Sequence, residues 1–330
     1  MFTFNYLEDA GFLSGWVMWL MVLTGLFMFN EFARRWKWAG FFSFFILPVL
    51  LTYSWFADSQ QVVYKDWFHM AKVYSALAGC IGFWLIRYVN KKDAQGNVIW
   101  RLADKKWVLL FPPLILAINI AEAVARDIQV GFTYWMVNSG PIDGEVVGVI
   151  GGPWNYLNAA AGVISIITIT GWFGIKIRKQ TEKDSSKDML WPDMLWFWII
   201  AYDLWNFAYT YNCIPTHAWY AGFALLLAPT LCSFTVGKGA WLQHRAQTLA
   251  IWCMFAQSYP AFLDSGKYMV TSTYNQTIYT YLAVLALVFN IGVLVYMVYK
   301  VIKTKRNPYK GELYMDDPDY IKVNQMAGLD

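Results

Sequence analysis

The residue of this chain best placed to do chemistry is a carboxylate in the middle of an apolar stretch. Asp203 lies in WFWIIAYDLWNFAYTYN, with Asn206 and Thr210 three and seven residues further on, a spacing that puts all three on one face of a helix. Tyr202 and Trp205 flank that face. A carboxylate deep in hydrocarbon costs about 2.5–3.5 kcal/mol on insertion scales, so such a group turns toward the interior of a helix bundle. It then either binds a proton, cation or ligand, or anchors a hydrogen bond between helices.

Three further sets share this character. In AINIAEAVARD, Asn119, Glu122 and Arg126 fall on one helical face. Glu122 and Arg126 have the i,i+4 spacing of a structural ion pair, and the planar fork of the arginine also suits a carboxylate or phosphate. In GGPWNYLNAAAG, Asn155 and Asn158 stand one turn apart, followed by Gly162 and Ser165, a pattern that serves close helix packing or, just after Pro153, an anionic group at a helix start. Lys72 sits one turn into another apolar run; its stem can snorkel to the interface, or its ammonium can meet Glu122 or Asp203.

Other chemistries lack their residues. No lysine precedes Lys300 in the last apolar run, which argues against retinal attachment. Only His69, His217 and His244 could ligate a haem through paired imidazoles. The segment VGKG at 236–239 has no acid to complete an aspartyl protease with Asp203, and HExxH, Walker A and GxSxG motifs are absent. Cys80, Cys213, Cys232 and Cys253 are widely separated, so neither a metal centre nor a disulfide framework is expected. No cofactor is expected.

The elements that must position these residues follow from composition. Hydrophobic residues make up 58% of the 330, and charged residues only 15%, against about 25% in ordinary soluble domains. Apolar runs near 13–31, 38–56, 69–89, 107–125, 155–176, 192–212, 217–236, 246–263 and 275–302 approach the roughly 20 helical residues that cross a bilayer. Backbone groups in lipid must be satisfied within a segment, so helices are expected rather than barrel strands. Lys and Arg, concentrated in alternate loops, predict an outer amino terminus and a cytoplasmic carboxyl terminus. The expected fold is therefore all-α, a polytopic transmembrane bundle of about nine spans. Residues 1–302 form one domain, and 303–330 a flexible cytoplasmic tail. The net charge of +4 follows from this topology and is no nucleic-acid footprint; membrane lipids are the expected surroundings. The segment 178–188 reads as a solvated linker, and the Gly-rich stretch 126–153 as a lid, a re-entrant loop or a plain loop.

The segments GGPWNYLNAAAG at 151–162 and PDMLWFWIIAYDLWNFAY at 192–209 resemble a family of bacterial multi-span membrane proteins whose domain has no assigned activity. The resemblance implies a bacterial cell membrane and names no site. From the residues themselves the leading expectation is a permease for a small polar solute. Its water-filled chamber would be lined by Asp203, Asn206, Asn119, Glu122, Asn155 and Asn158, with proton or cation coupling at Asp203 and an outer gate at Glu122 and Arg126. A membrane-embedded enzyme acting on a lipid-linked substrate, and a sensor or assembly subunit, are the alternatives.

Overall fold

The computed structural model describes residues 3–6, 11–57, 63–135, 140–141, 148–182 and 184–328. The chain is mostly helical. Its long helices are α1 (Gly11–Arg35), α2 (Lys37–Ala57), α3 (Trp67–Tyr88), α4 (Lys106–Thr133), α5 (Pro153–Ile167), α6 (Trp196–Cys213), α7 (Tyr220–Phe234), α8 (Trp241–Ser258) and α9 (Gln276–Thr304). Each overlaps one of the nine expected segments. Five of them, α1 to α4 and α9, are long and apolar enough to cross a membrane. A short helix, α10 (Pro318–Met326), follows.

Local chemistry explains the boundaries. Asp66 starts α3 by accepting hydrogen bonds at 3.0 Å from the backbone N–H groups of Phe68 and His69, and Asn275 does the same for α9 from Thr277 and Ile278; such caps contribute about 1 kcal/mol each. Helix α5 stops at Ile167, short of the expected residue 176. There the Thr168 hydroxyl donates back to the carbonyls of Ile164 and Ser165, and Gly171 takes a left-handed φ of +63° that turns the chain. Two helices contain a π turn, at Phe42–Ile46 in α2 and at Tyr220–Ala224 at the start of α7.

Helix α6 occupies the centre, packed against α5 and α9, with α4 and α7 also in contact. Twelve of its eighteen residues are buried. Helix α1 is its opposite. It buries one stripe, Trp19, Leu23, Leu26, Asn30 and Ala33, and exposes Leu13, Leu20, Met21 and Met28, as a helix bordering lipid does. Glycine permits the closest approaches: a Cβ at Gly162 would lie 2.5 Å from Val124 and 2.9 Å from Trp205.

The strands are short two-stranded pairs. Phe4–Tyr6 pairs antiparallel with Val270–Ser272, joining the amino-terminal segment to the loop before α9. Asn90–Lys92 pairs with Val98–Arg101, and Lys176–Ile177 with Met189–Leu190. Within 126–153, α4 continues to Thr133 and Gly140–Pro141 pairs with Gly148–Val149; residues 136–139 and 142–147 lie outside the described residues.

Two polar segments differ from their sequence expectation. The 178–188 stretch is not a solvated linker at its carboxyl-terminal end, because Ser186 and Asp188 are buried. Arg34, at the end of α1, donates to Asp188 at 2.8 Å and to Ser186 at 3.1 Å, and pairs with Glu31. The other Asp188 oxygen accepts from Gln243 at 2.9 Å. Burial alone would raise the Asp188 carboxyl, but the Arg34 guanidinium, aided by His244, Arg87 and Arg178, overrides burial and holds it down to about 2.

The second is the segment after α9, expected as a flexible tail. It lies along the bundle, with the Leu313 and Tyr314 N–H groups donating to the Asp193 carboxylate at 2.8–3.0 Å. Leu313, Tyr314, Tyr320 and Val323 are buried. Lys176–Glu312 and Lys238–Asp319 ion pairs hold it from outside. Its apolar residues are too few and too widely spaced to announce a helix, and they find their partners only in the folded bundle.

Candidate functional site

Polar side chains converge on a small chamber, with a cavity volume of about 80 Å³, bounded by α3, α6, α7 and α8, with Asn119 reaching in from α4. Lys72, one turn into α3, donates to the backbone and side-chain oxygens of Asn119 and meets Glu122 at 3.2 Å. Ser75 donates to Glu122 and accepts from Asn119. Opposite them Arg245, one turn into α8, donates to the Tyr202 hydroxyl at 3.3 Å.

The end of the chamber is built around His69. Its ring nitrogen lies 2.6 Å from Asp66, its ring stacks on Tyr64 at 4.1 Å, and His217 stands 5.4 Å away. Tyr64 and Thr216 both donate to Asp264. The lining therefore carries two fixed cations, two imidazoles, amides and phenols, with apolar side chains of α7 and α8 between them. Three buried lining atoms find no hydrogen-bond partner among the described residues: Nη1 of Arg245, the hydroxyl of Tyr209 and Oε1 of Gln257. Buried polar groups are nearly always satisfied, so orphans gathered at one cavity mark it as a place where polar atoms are presented.

The expected single chamber of acidic and amide groups is not what forms. Lys72, Asn119 and Asn206 line the cavity. Asp203 does not; it lines a separate apolar cleft on the other side of α6 and accepts from Thr230 at 2.7 Å. Residues three apart on a helix differ by about 60° in direction, which is enough to divide them when the helix is itself the wall between two spaces. Glu122 is engaged by Lys72 and Ser75 outside the lining. Arg126 is fully buried, bonded to Gln129 at 3.1 Å and lying over the Phe68 ring.

Asn155 and Asn158 also leave the chamber. Both donate to Asp127, at 2.9 and 2.8 Å, and all three are fully buried. Tyr202 meets Arg245, and Trp205 donates to the Asn158 carbonyl at 3.0 Å. These form a structural seam between α4, α5 and α6.

Sequence reasoning missed Asp127, Asp66, Arg245, Tyr209 and Gln257. Asp66, three residues before His69, carries an N-cap signal that could have been read. Arg245 falls one residue before the expected 246–263 run, whereas α8 starts at Trp241, which carries the arginine inside. No group of three or more His, Cys, Asp or Glu side chains that could hold a metal ion occurs among the described residues.

An assembly of several apolar helices compatible with a membrane, with a few polar side chains turned into an interior space, defines a helical membrane-type protein. The chain belongs to a family of unknown function, DUF5692, whose model matches residues 9–326. No curated protein and no solved structure matches it.

Proposed function

We propose that the protein is a permease of a cell membrane, crossing it about nine times with its amino terminus outside, and that it carries a small, acceptor-rich polar solute through the α3–α8 chamber. The observation that carries this reading is the set of donors gathered there, Lys72, Arg245 and Asn206, with the orphaned Arg245 Nη1 and Tyr209 hydroxyl among them. A carboxylate or phosphate would satisfy the Arg245 and Tyr209 groups, because charge-assisted bonds to guanidinium are the strong ones. The reading leaves Asp203 outside the solute path.

Two experiments test it. An impermeant maleimide should label Gln95→Cys from the cytoplasmic side only and Lys267→Cys from the outer side only; the reverse pattern, or labelling of both from one side, rejects the topology. Thermal-shift titration of the protein in nanodiscs with phosphate, succinate and nicotinate should give a saturable stabilisation by at least one of them. Proteoliposome uptake of that compound should fall about tenfold or more in Lys72→Met and Arg245→Gln, the scale of one lost charged hydrogen bond. Unaltered uptake in both variants would defeat the proposal.

One observation favours a second reading. The Asp66–His69 pair, beside Tyr64 and His217, has the geometry of an oriented general base, as an enzyme acting on a lipid-linked substrate would need. Solute uptake that survives His69→Gln while Lys72→Met abolishes it would favour the permease.

A further inference from the structure

A second space, independent of the chamber, lies on the flank of the bundle between α1, α6 and α7. Its cavity volume is about 800 Å³, and its lining shares no residue with that of the chamber. Nearly all of that lining is apolar or aromatic, and among the described residues no lysine, arginine or histidine belongs to it and Asp203 is the one charged member. The Thr230 hydroxyl accepts from the Trp241 indole at 3.1 Å and donates to Asp203 Oδ2 at 2.7 Å, so the donor chain fixes the carboxyl group. The other oxygen, Oδ1, is buried and without a hydrogen-bond partner among the described residues.

Toward the amino-terminal end the cleft is walled by rings set edge to face. Trp16 and Trp219 stand 4.7 Å apart at 85°, Phe4 lies 4.8 Å from Trp219, and Tyr6 lies 5.6 Å from it. Glycine makes this wall thin: a Cβ at Gly222 would come within 2.1 Å of the Thr210 hydroxyl oxygen.

We propose that this cleft is a binding site for a lipophilic organic cation, with Asp203 as the counter-charge and the Trp16, Trp219 and Tyr6 rings as the surface that its apolar groups and positive charge meet. An acidic oxygen without a donor, in a wall of hydrocarbon, is costly unless a cation or a proton meets it. Indole faces attract cations and tolerate apolar substituents, so the two features ask for one chemistry. An anion finds no cationic side chain among the described lining residues, and a small polar solute would leave most of the lining uncovered. A zwitterionic lipid head group fits poorly. Asp203 is the eighth residue of an eighteen-residue helix, about 10 Å from its start and about 15 Å from its end at 1.5 Å per residue, and the lipid phosphate would be drawn to that depth without a partner.

The test uses the full chain in detergent and two probes of the same size and opposite charge. Labelled tetraphenylphosphonium in equilibrium dialysis, against protein-free micelles as blank, should bind saturably at one site per chain, and tetraphenylborate should not displace it. Asp203→Asn should weaken binding by about tenfold or more, and Leu227→Trp, which fills the cleft from α7, should also weaken it, in proteins that elute and melt as wild type does. Lys72→Met, which alters the chamber alone, should leave phosphonium affinity within about twofold, which separates this site from the chamber. Binding that is linear as in empty micelles, equal competition by tetraphenylborate, or full affinity in Asp203→Asn would each overturn the proposal. Should Asp203→Asn fail to fold, the comparison of the two probes on the wild-type protein decides it.

Discussion

At the end of the bundle where α1 stops, the Arg34 guanidinium is shared among Glu31, Asp188 and Ser186, and Asp188 is in turn held by Gln243 and Arg178. In the chamber, about the same depth of burial leaves Arg245 with a bond to Tyr202 and a second nitrogen unmatched. Arg34 is 0% exposed and Arg245 5%, so solvent access does not separate them. What separates them is completeness. The first network ties the 178–190 segment to α1 and α8, and every charge in it has an opposite charge in reach. The second presents donors to a space. Arginines of similar burial thus serve two ends, and the count of satisfied atoms distinguishes them where burial cannot.

The comparison is broken most directly at Arg34. Arg34→Met should cost about 3–5 kcal/mol in reversible unfolding, because it strands the buried Asp188 charge; a loss below about 1 kcal/mol would mean that the network is ornamental. Next in size is a pH effect. The Asp188 carboxyl falls from an ordinary 3.8 to about 2 in the folded chain, so its contribution is complete above about pH 4 and is lost as pH falls through 2, by about 2 kcal/mol in all. Thermal melts across that window should fall more steeply in the wild type than in Asp188→Asn, where the contributions of the other carboxylates remain. The smallest effect belongs to the chamber. Arg245→Gln should change stability by less than about 1 kcal/mol, since removing an unsatisfied group offsets the lost bond to Tyr202. A cost as large as that at Arg34 would erase the distinction.

Much of the helical order was legible, because long apolar runs have few other solutions. What escaped were features set by partners remote in sequence. Asp127 lies two residues past the expected 107–125 run, yet α4 continues to Thr133 and two asparagines of α5 donate to its carboxylate. The segment 307–326 carries no strong pattern because its order comes from Asp193 and from lysines elsewhere in the chain. The candidate site was half legible for a similar reason. Lys72, Asn119 and Asn206 could be singled out as costly polar groups in apolar runs, but which of them face one another depends on helix rotation. Asp203 and Asn206 were expected together, and a central helix that borders two spaces sent them apart.

The π turn at Tyr220–Ala224 has a consequence for both spaces. Ala221 faces the chamber and Gly222 the cleft, and a π turn holds one residue more than an α turn. If that extra residue were passed out through the end of the helix, the side chains beyond it would swing by about 100°. Ala221 and Gly222 would then leave their posts in the same movement. One coil of backbone thus supplies wall to both spaces.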